Sequence, residues 1–164
     1  ELQSHSDLVC RLLLEKKKTS SFMKKIFRPR DLNLKVYVED TDFQGFVYHA
    51  NYIKFFERAR SEFLQDNKIS QKELRINNLA FVVKRIEVDF LFPGRLGDEL
   101  VVESLIEKKS NARMIFKQDI VNRNDNKKLC SGMVEVCLID IESKKPKRLP
   151  DDLLLILDED KLNE

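Results

Sequence analysis

A single aromatic-striped helix, followed by nothing but alternating strands, constrains this chain more than any other feature. Between residues 51 and 66, Tyr52, Phe55, Phe56, Ala59 and Phe63 recur at three- and four-residue spacing, with Ile53 and Leu64 widening the stripe. That period puts them on one face of a helix beginning at His49 or Asn51. Lys54, Glu57, Arg58, Ser61, Glu62 and Gln65 take the other side. Upstream, Leu32, Leu34, Val36 and Val38 share one parity, predicting a strand over 32–39. Downstream, alternation predicts strands over 81–92, 99–108, 112–122 and 129–140, with turns at Pro93-Gly94 and Asn124-Asp125-Asn126. Ser70 and Glu73 form a capping-box pair that opens a short second helix. The order β-α-β-β-β-β has one economical solution: an α+β fold in which a five-stranded antiparallel sheet wraps its apolar face around one long helix. Such a sheet has free edges, which a partner subunit can complete.

The 164 residues suit one domain, and the 42% hydrophobic content is ordinary for a globular chain. The longest apolar runs, 79–83 and 153–157, are far shorter than the ~20 residues of a membrane span. Thirty Lys and Arg against 28 Asp and Glu give a formal charge of +2, without the basic excess of a nucleic-acid protein. Three cysteines make no disulfide framework, and Cys130 and Cys137, seven apart in one strand, point to opposite faces. No cysteine–histidine cluster suggests zinc, no metal or organic cofactor is implied, and a reducing cytoplasm fits. Residues 1–22 read as a flexible upstream extension, because Met23-Lys24-Lys25 resembles a natural start and the apolar patch at 9–14 is too short and charged for a secretory signal. Residues 23–150 then form the domain, and 151–164 an acidic C-terminal tail.

Chemistry concentrates in 39–52, where Glu39, Asp40 and Asp42 precede Gly45, and His49 stands at the start of the helix. Gly45 is the natural place for a positive φ. A calcium loop fails, since its fifth and twelfth positions hold Gln44 and Asn51. Two readings remain: a structural acidic turn, or an acyl-transfer site in which a carboxylate faces the free N–H groups and positive dipole end of a helix.

The run Val36-Tyr37-x-Glu39-Asp40-Thr41-Asp42-x-x-Gly45-x-Val47-Tyr48-His49-Ala50-Asn51-Tyr52, continued by Phe55-Phe56-Glu57-Arg58-Ala59-Arg60-Ser61-Glu62-Phe63-Leu64, closely resembles the signature of hotdog-fold acyl-CoA thioesterases. Within them it is similar to the YbgC branch, of the 4-hydroxybenzoyl-CoA thioesterase type, often linked with the Tol–Pal envelope system. The resemblance covers 32–145. It implies that Asp42 is the catalytic carboxylate, as general base on water or as nucleophile. It places His49 at the thioester, with its backbone N–H an oxyanion donor, and gives Gly45, Tyr48 and Asn51 a part in shaping the site. Many relatives carry two adjacent tyrosines in the first strand, whereas here Tyr37 is followed by Val38. Some hotdog enzymes use a helical glutamate instead, but Glu57 and Glu62 are not on one face and read as structural. Lys108, Lys109, Ser110 and Arg113 are candidate contacts for the phosphates of CoA. The expected protein is a cytoplasmic homo-oligomer, a dimer of dimers, in contact at most with the periphery of the inner membrane. Its substrate is acyl-CoA, with acyl-carrier protein as the other carrier. The rivals are a non-catalytic acyl-binding or envelope scaffold module and a hotdog dehydratase, whose Asp/His spacing is not seen here.

Overall fold

The computed structural model describes residues 25–158. Its strands are β1 (Ile26–Phe27), β2 (Leu32–Lys35), β3 (Leu79–Phe90), β4 (Glu99–Ser110), β5 (Arg113–Asn122) and β6 (Lys128–Asp140). The helices are α1 (His49–Asp66), α2 (Gln71–Ile76) and α3 (Asp151–Asp158). The six strands form one antiparallel sheet in the order β1-β4-β5-β6-β3, with β2 also on β4. The α+β hotdog architecture is as expected, with one strand more than the five predicted. The added strand, β1, is two residues long, too short for alternation to reveal it. It pairs with Ile106 and Glu107, further along the β4 edge that β2 occupies opposite 99–102.

The predicted strand over 32–39 stops at Lys35. The Tyr37 N–H donates to Asp40 Oδ2 at 2.9 Å, and this local bond turns Val38–Asp40 into one 3₁₀ turn. Val38 is left exposed instead of joining Val36 in the core. The short helix α2 opens as the capping pair predicts, with Ser70 Oγ accepting from the Glu73 N–H at 3.2 Å.

α1 lies across the sheet with Tyr52, Phe55, Phe56, Ala59 and Phe63 buried, the stripe seen in the sequence. It sits so close to β6 that a Cβ on Gly132 would meet Phe56 Cε2 at 2.5 Å. The core falls into two apolar clusters. One, around Tyr52, Phe55 and Phe56, meets Val102, Ile120 and Leu129; the other, around Phe63 and Leu64, meets Met114, Phe116 and Leu138. Leu153, Leu154 and Leu157 belong to the second cluster, so 151–158 is a packed helix and not the expected acidic tail. Three leucines on one face outweigh the flanking acids, and burying each contributes roughly 1.5–3 kcal/mol. Residues 1–22 and 159–164 lie outside the described residues.

β3 is different. Its inner parity carries Phe81, Val83, Ile86, Val88 and Phe90, as alternation predicts from 86 on; α2 packs against its start, and His49 and Tyr52 of α1 meet Phe90 at its end. Val83, Ile86 and Phe90 stay exposed along the open edge.

Candidate active site

The loop between β2 and α1 is built by short-range hydrogen bonds. Val36 and Gly97 tie its start to the turn before β4, through Val36 N–H to Asp98 O (2.9 Å) and Gly97 N–H to Val36 O (3.0 Å). Thr41 bridges Val47, and Gly45 sits at φ +80° between them, the conformation the sequence predicts for it. Gly94 lets Val47, Leu129 and the Tyr52 hydroxyl close in, its would-be Cβ meeting them at 3.0–3.3 Å. The Tyr52 hydroxyl accepts the Gly94 N–H at 2.8 Å, and burial pushes that phenol's pKa up.

The two aspartates of the loop have opposite fates. Asp40 is buried; its Oδ1 accepts from Asn51 Nδ2 and its Oδ2 from the Tyr37 N–H, both at 2.9 Å. Its backbone carbonyl also accepts the Tyr48 N–H at 2.8 Å. Asn51, expected to shape the site, therefore fastens the first turn of α1 to the loop. Asp42 is exposed. Its Oδ1 accepts the N–H groups of Gln44 (2.9 Å) and Phe46 (3.1 Å), which fixes the carboxylate's orientation. Its Oδ2 is left open to solvent among the described residues.

His49 is the first residue of α1, and Tyr48 caps the helix without a side-chain hydrogen bond. No acidic residue stands in the first turn, so the amides of His49 and Ala50 keep the unpaired N–H groups and positive dipole of a bare helix start. The His49 ring lies 4.5 Å from Tyr48 and 6.2 Å, edge-on, from Phe90. Asp42, Gly45, Tyr48, His49 and Asn51 thus all belong to one loop–helix junction, with the His49 ring beside Phe90 of β3.

Lys108, Lys109, Ser110 and Arg113 are not brought there. They stand at the β4–β5 hairpin, whereas the loop anchors before Glu99, roughly 35 Å away along β4. Their charges are already matched. Lys108 Nζ donates to Asp158, Lys109 Nζ to Glu135 Oε2 at 2.8 Å, and Arg113 Nη1 to Glu135 Oε1 at 3.3 Å. Lys109 foremost, then Arg113 and Lys84, hold the Glu135 carboxyl below its usual range. Ser110 Oγ accepts the Ala112 N–H.

A polar chain through the core escaped sequence reasoning. Arg60 is buried, and burial lowers its pKa against the opposing pull of Glu57. It donates to Gln118 Oε1 (2.9 Å) and Glu57 Oε2 (2.6 Å). Gln118 Nε2 in turn reaches Ser104 Oγ and Phe56 O, both at 3.1 Å. The Glu57–Arg60 pair thus joins an exposed carboxylate to a buried guanidinium. The available signal was Gln118 itself, polar at the inward parity of a strand with Met114, Phe116 and Ile120. Glu62 faces Arg30 at 3.8 Å, in keeping with a structural part.

Comparison with known proteins defines the class first. Residues 36–157 match the family model of the thioesterase-like superfamily. A 1,4-dihydroxy-2-naphthoyl-CoA thioesterase from Synechocystis superposes with a TM-score of 0.75 at 22% identity, over 80% of this chain and 95% of that one. A probable thioesterase from Bartonella henselae superposes with a TM-score of 0.68 at 39% identity, over 74% and 98% of the two chains. The acyl-CoA thioester hydrolase YbgC of Escherichia coli O157:H7 is 40% identical over 117 residues, 71% of this chain and 87% of that protein. The Haemophilus influenzae acyl-CoA thioesterase YbgC is 37% identical over 118 residues, 71% and 85% of the two chains. The chain belongs to the hotdog-fold thioesterases, in the YbgC type of the thioesterase-like superfamily.

Proposed function

We propose that this chain hydrolyses acyl-CoA thioesters at the loop–helix junction, with Asp42 as general base on water or as nucleophile. The observation that carries the reading is the contrast in one loop between Asp40, buried and fully bonded, and Asp42, oriented by two amides with Oδ2 open. The N–H groups of His49 and Ala50 stabilise the oxyanion, since they are unpaired and lie at the positive end of α1. The His49 ring, lodged between Tyr48 and Phe90, orients the thioester. Gly45 allows the loop's return, and Asn51 holds Asp40 so that the loop keeps its shape.

The relatives named for action on acyl-CoA support CoA as the carrier; acyl-carrier protein is the alternative carrier. The open edge of β3, with apolar Val83, Ile86 and Phe90 exposed, supports pairing with a second copy, and a dimer of dimers is the proposed assembly. No helix among the described residues is long and apolar enough to cross a membrane. We place the protein in the cytoplasm, with fully exposed Phe43 at the loop tip as the contact for the inner membrane's periphery.

The test is thiol release from a panel of aliphatic and aromatic acyl-CoAs by the wild type and Asp42→Asn side by side. Release that falls about 10²-fold or more in the variant supports the reading. Release within a few-fold of wild type removes Asp42 from the chemistry. Saturable binding with no release from any substrate moves the function to a non-catalytic acyl-binding module.

A further inference from the structure

The inner face of the sheet changes character along one line. Ser104 of β4, Gln118 of β5 and Gly132 of β6 are direct register partners, a row of polar and small residues across three strands. The rows on either side are apolar: Val102, Ile120 and Cys130 toward the loop end, Ile106, Phe116 and Val134 toward the hairpin. The odd row is the seat of α1. Gly132 leaves the space that the Phe56 ring fills, since a Cβ there would meet Cε2 at 2.5 Å. Beside it, Gln118 Nε2 donates to the Phe56 carbonyl and to Ser104 Oγ, both at 3.1 Å, and Gln118 Oε1 accepts from Arg60 Nη1 at 2.9 Å. Ser104, Gln118 and Arg60 are all buried. Arg60 Nη2 donates on to Glu57 Oε2 at 2.6 Å, and Glu57 Oε1 accepts from Ser61 Oγ at 3.0 Å, so the chain of bonds ends at the surface.

We infer that this row is a socket that sets the place of α1 on the sheet, and that Gln118 and Arg60 are positioning residues for hydrolysis. The inference rests on the reading that the amides of His49 and Ala50 hold the oxyanion. Apolar contacts between the helix and the flanking rows are non-directional, so they tolerate small slides and rotations. Hydrogen bonds weaken steeply with angle and length and do not. The side-chain amide of Gln118 bonds α1 at two points one turn apart, the Phe56 carbonyl and the Arg60 guanidinium. Those two bonds fix both the rotation and the axial place of the helix. Arg60 lies roughly 16 Å from His49 at 1.5 Å per residue, and a hydrogen-bonded helix carries a displacement over that span. A misplacement of about 1 Å can cost about 10²-fold in rate. Oxyanion donors act on charge that develops in the transition state, so the loss falls on kcat and spares KM.

The experiment follows kcat, KM and the urea midpoint in Arg60→Met, Gln118→Leu, the two together, and Ser104→Ala, with the acyl-CoA that the wild type cleaves fastest. Arg60→Met or Gln118→Leu alone strands a buried partner, so the midpoint should drop. The double variant makes both positions apolar and should recover most of that stability. Its kcat should nevertheless stay about tenfold or more below wild type, with KM changed by less than about threefold. Ser104→Ala removes one of the bonds that hold Gln118 and should lower kcat about threefold, even if the double variant does not fold. A double variant whose kcat returns with its stability overturns the inference, because the row would then be structural only. Unchanged kcat in Ser104→Ala overturns it too. If the wild type releases no thiol, the hydrolytic reading falls, and the socket is read from backbone amide chemical shifts. Shifts of His49 and Ala50 that move in the variants, while those of α3 stay, then sustain the socket; shifts that do not move sink it.

Discussion

The β2–α1 loop and the β4–β5 hairpin both carry clustered charge, yet only the loop leaves a charge unspent. In the loop, Asp40 is consumed by Asn51 and Tyr37 so that Asp42 can stand open beside an uncapped helix. In the hairpin, Lys109 and Arg113 close on Glu135, and Lys108 closes on Asp158. Charge density alone therefore does not mark a site. A group is available for chemistry when the groups around it satisfy each other and leave it out.

The strongest way to break this contrast is Asp42→Asn. Turnover should fall about 10²-fold or more while the urea midpoint barely moves, because the amide oxygen can still accept from Gln44 and Phe46. Loss of stability in step with activity would make Asp42 another structural aspartate. Asp40→Ala should show the reverse order. Leaving the buried Asn51 amide and the Tyr37 N–H without an acceptor should cost roughly 1–3 kcal/mol in urea unfolding, with activity lost as a consequence of a loosened loop. An unfolding free energy equal to wild type would contradict its role as the loop's anchor.

The hairpin should respond more weakly. Lys109→Ala and Arg113→Ala each remove one partly exposed ion pair, so stability should change by about 0–1 kcal/mol and KM for acyl-CoA by no more than a few-fold. A large rise in KM, steepened by salt, would return the hairpin to the substrate site. The smallest expected effect is a pH dependence. The folded-state pKa of Glu135 is lowered, so its contribution to stability is present above its unfolded value of about 4.3 and is lost as pH falls through the lowered folded value. The stability difference between wild type and Glu135→Gln should thus shrink between about pH 6 and pH 3 in urea titrations. A difference that is flat across that range would mean the three cations do not act on Glu135's ionisation.

Much of this was legible in the chain. The aromatic stripe predicted α1 to within its first turn, because apolar side chains at a 3.6-residue period can be buried only on a helix. Alternation located β3 to β6 within about two residues of their ends, and Gly45 marked a turn that does take a positive φ. The loop's residues, in their order, also carried the family resemblance. The misreadings share a cause. The strand over 32–39 broke at Lys35 because a side-chain carboxylate captured a backbone amide, a competition that parity does not register. The leucines of α3 were discounted among acids, and their worth depended on a cluster already waiting around Phe63 and Met114.

The sequence by itself determined the elements, their order and which residue types meet in the loop, because period, turn chemistry and spacing are local properties. The tertiary structure alone decided which aspartate is buried, which cations are matched, and that Arg60 finds Gln118 fifty-eight residues away. It also left Val83, Ile86 and Phe90 exposed along the edge of β3. These outcomes depend on desolvation and on pairing between distant segments, and neither is set until the sheet has closed around α1.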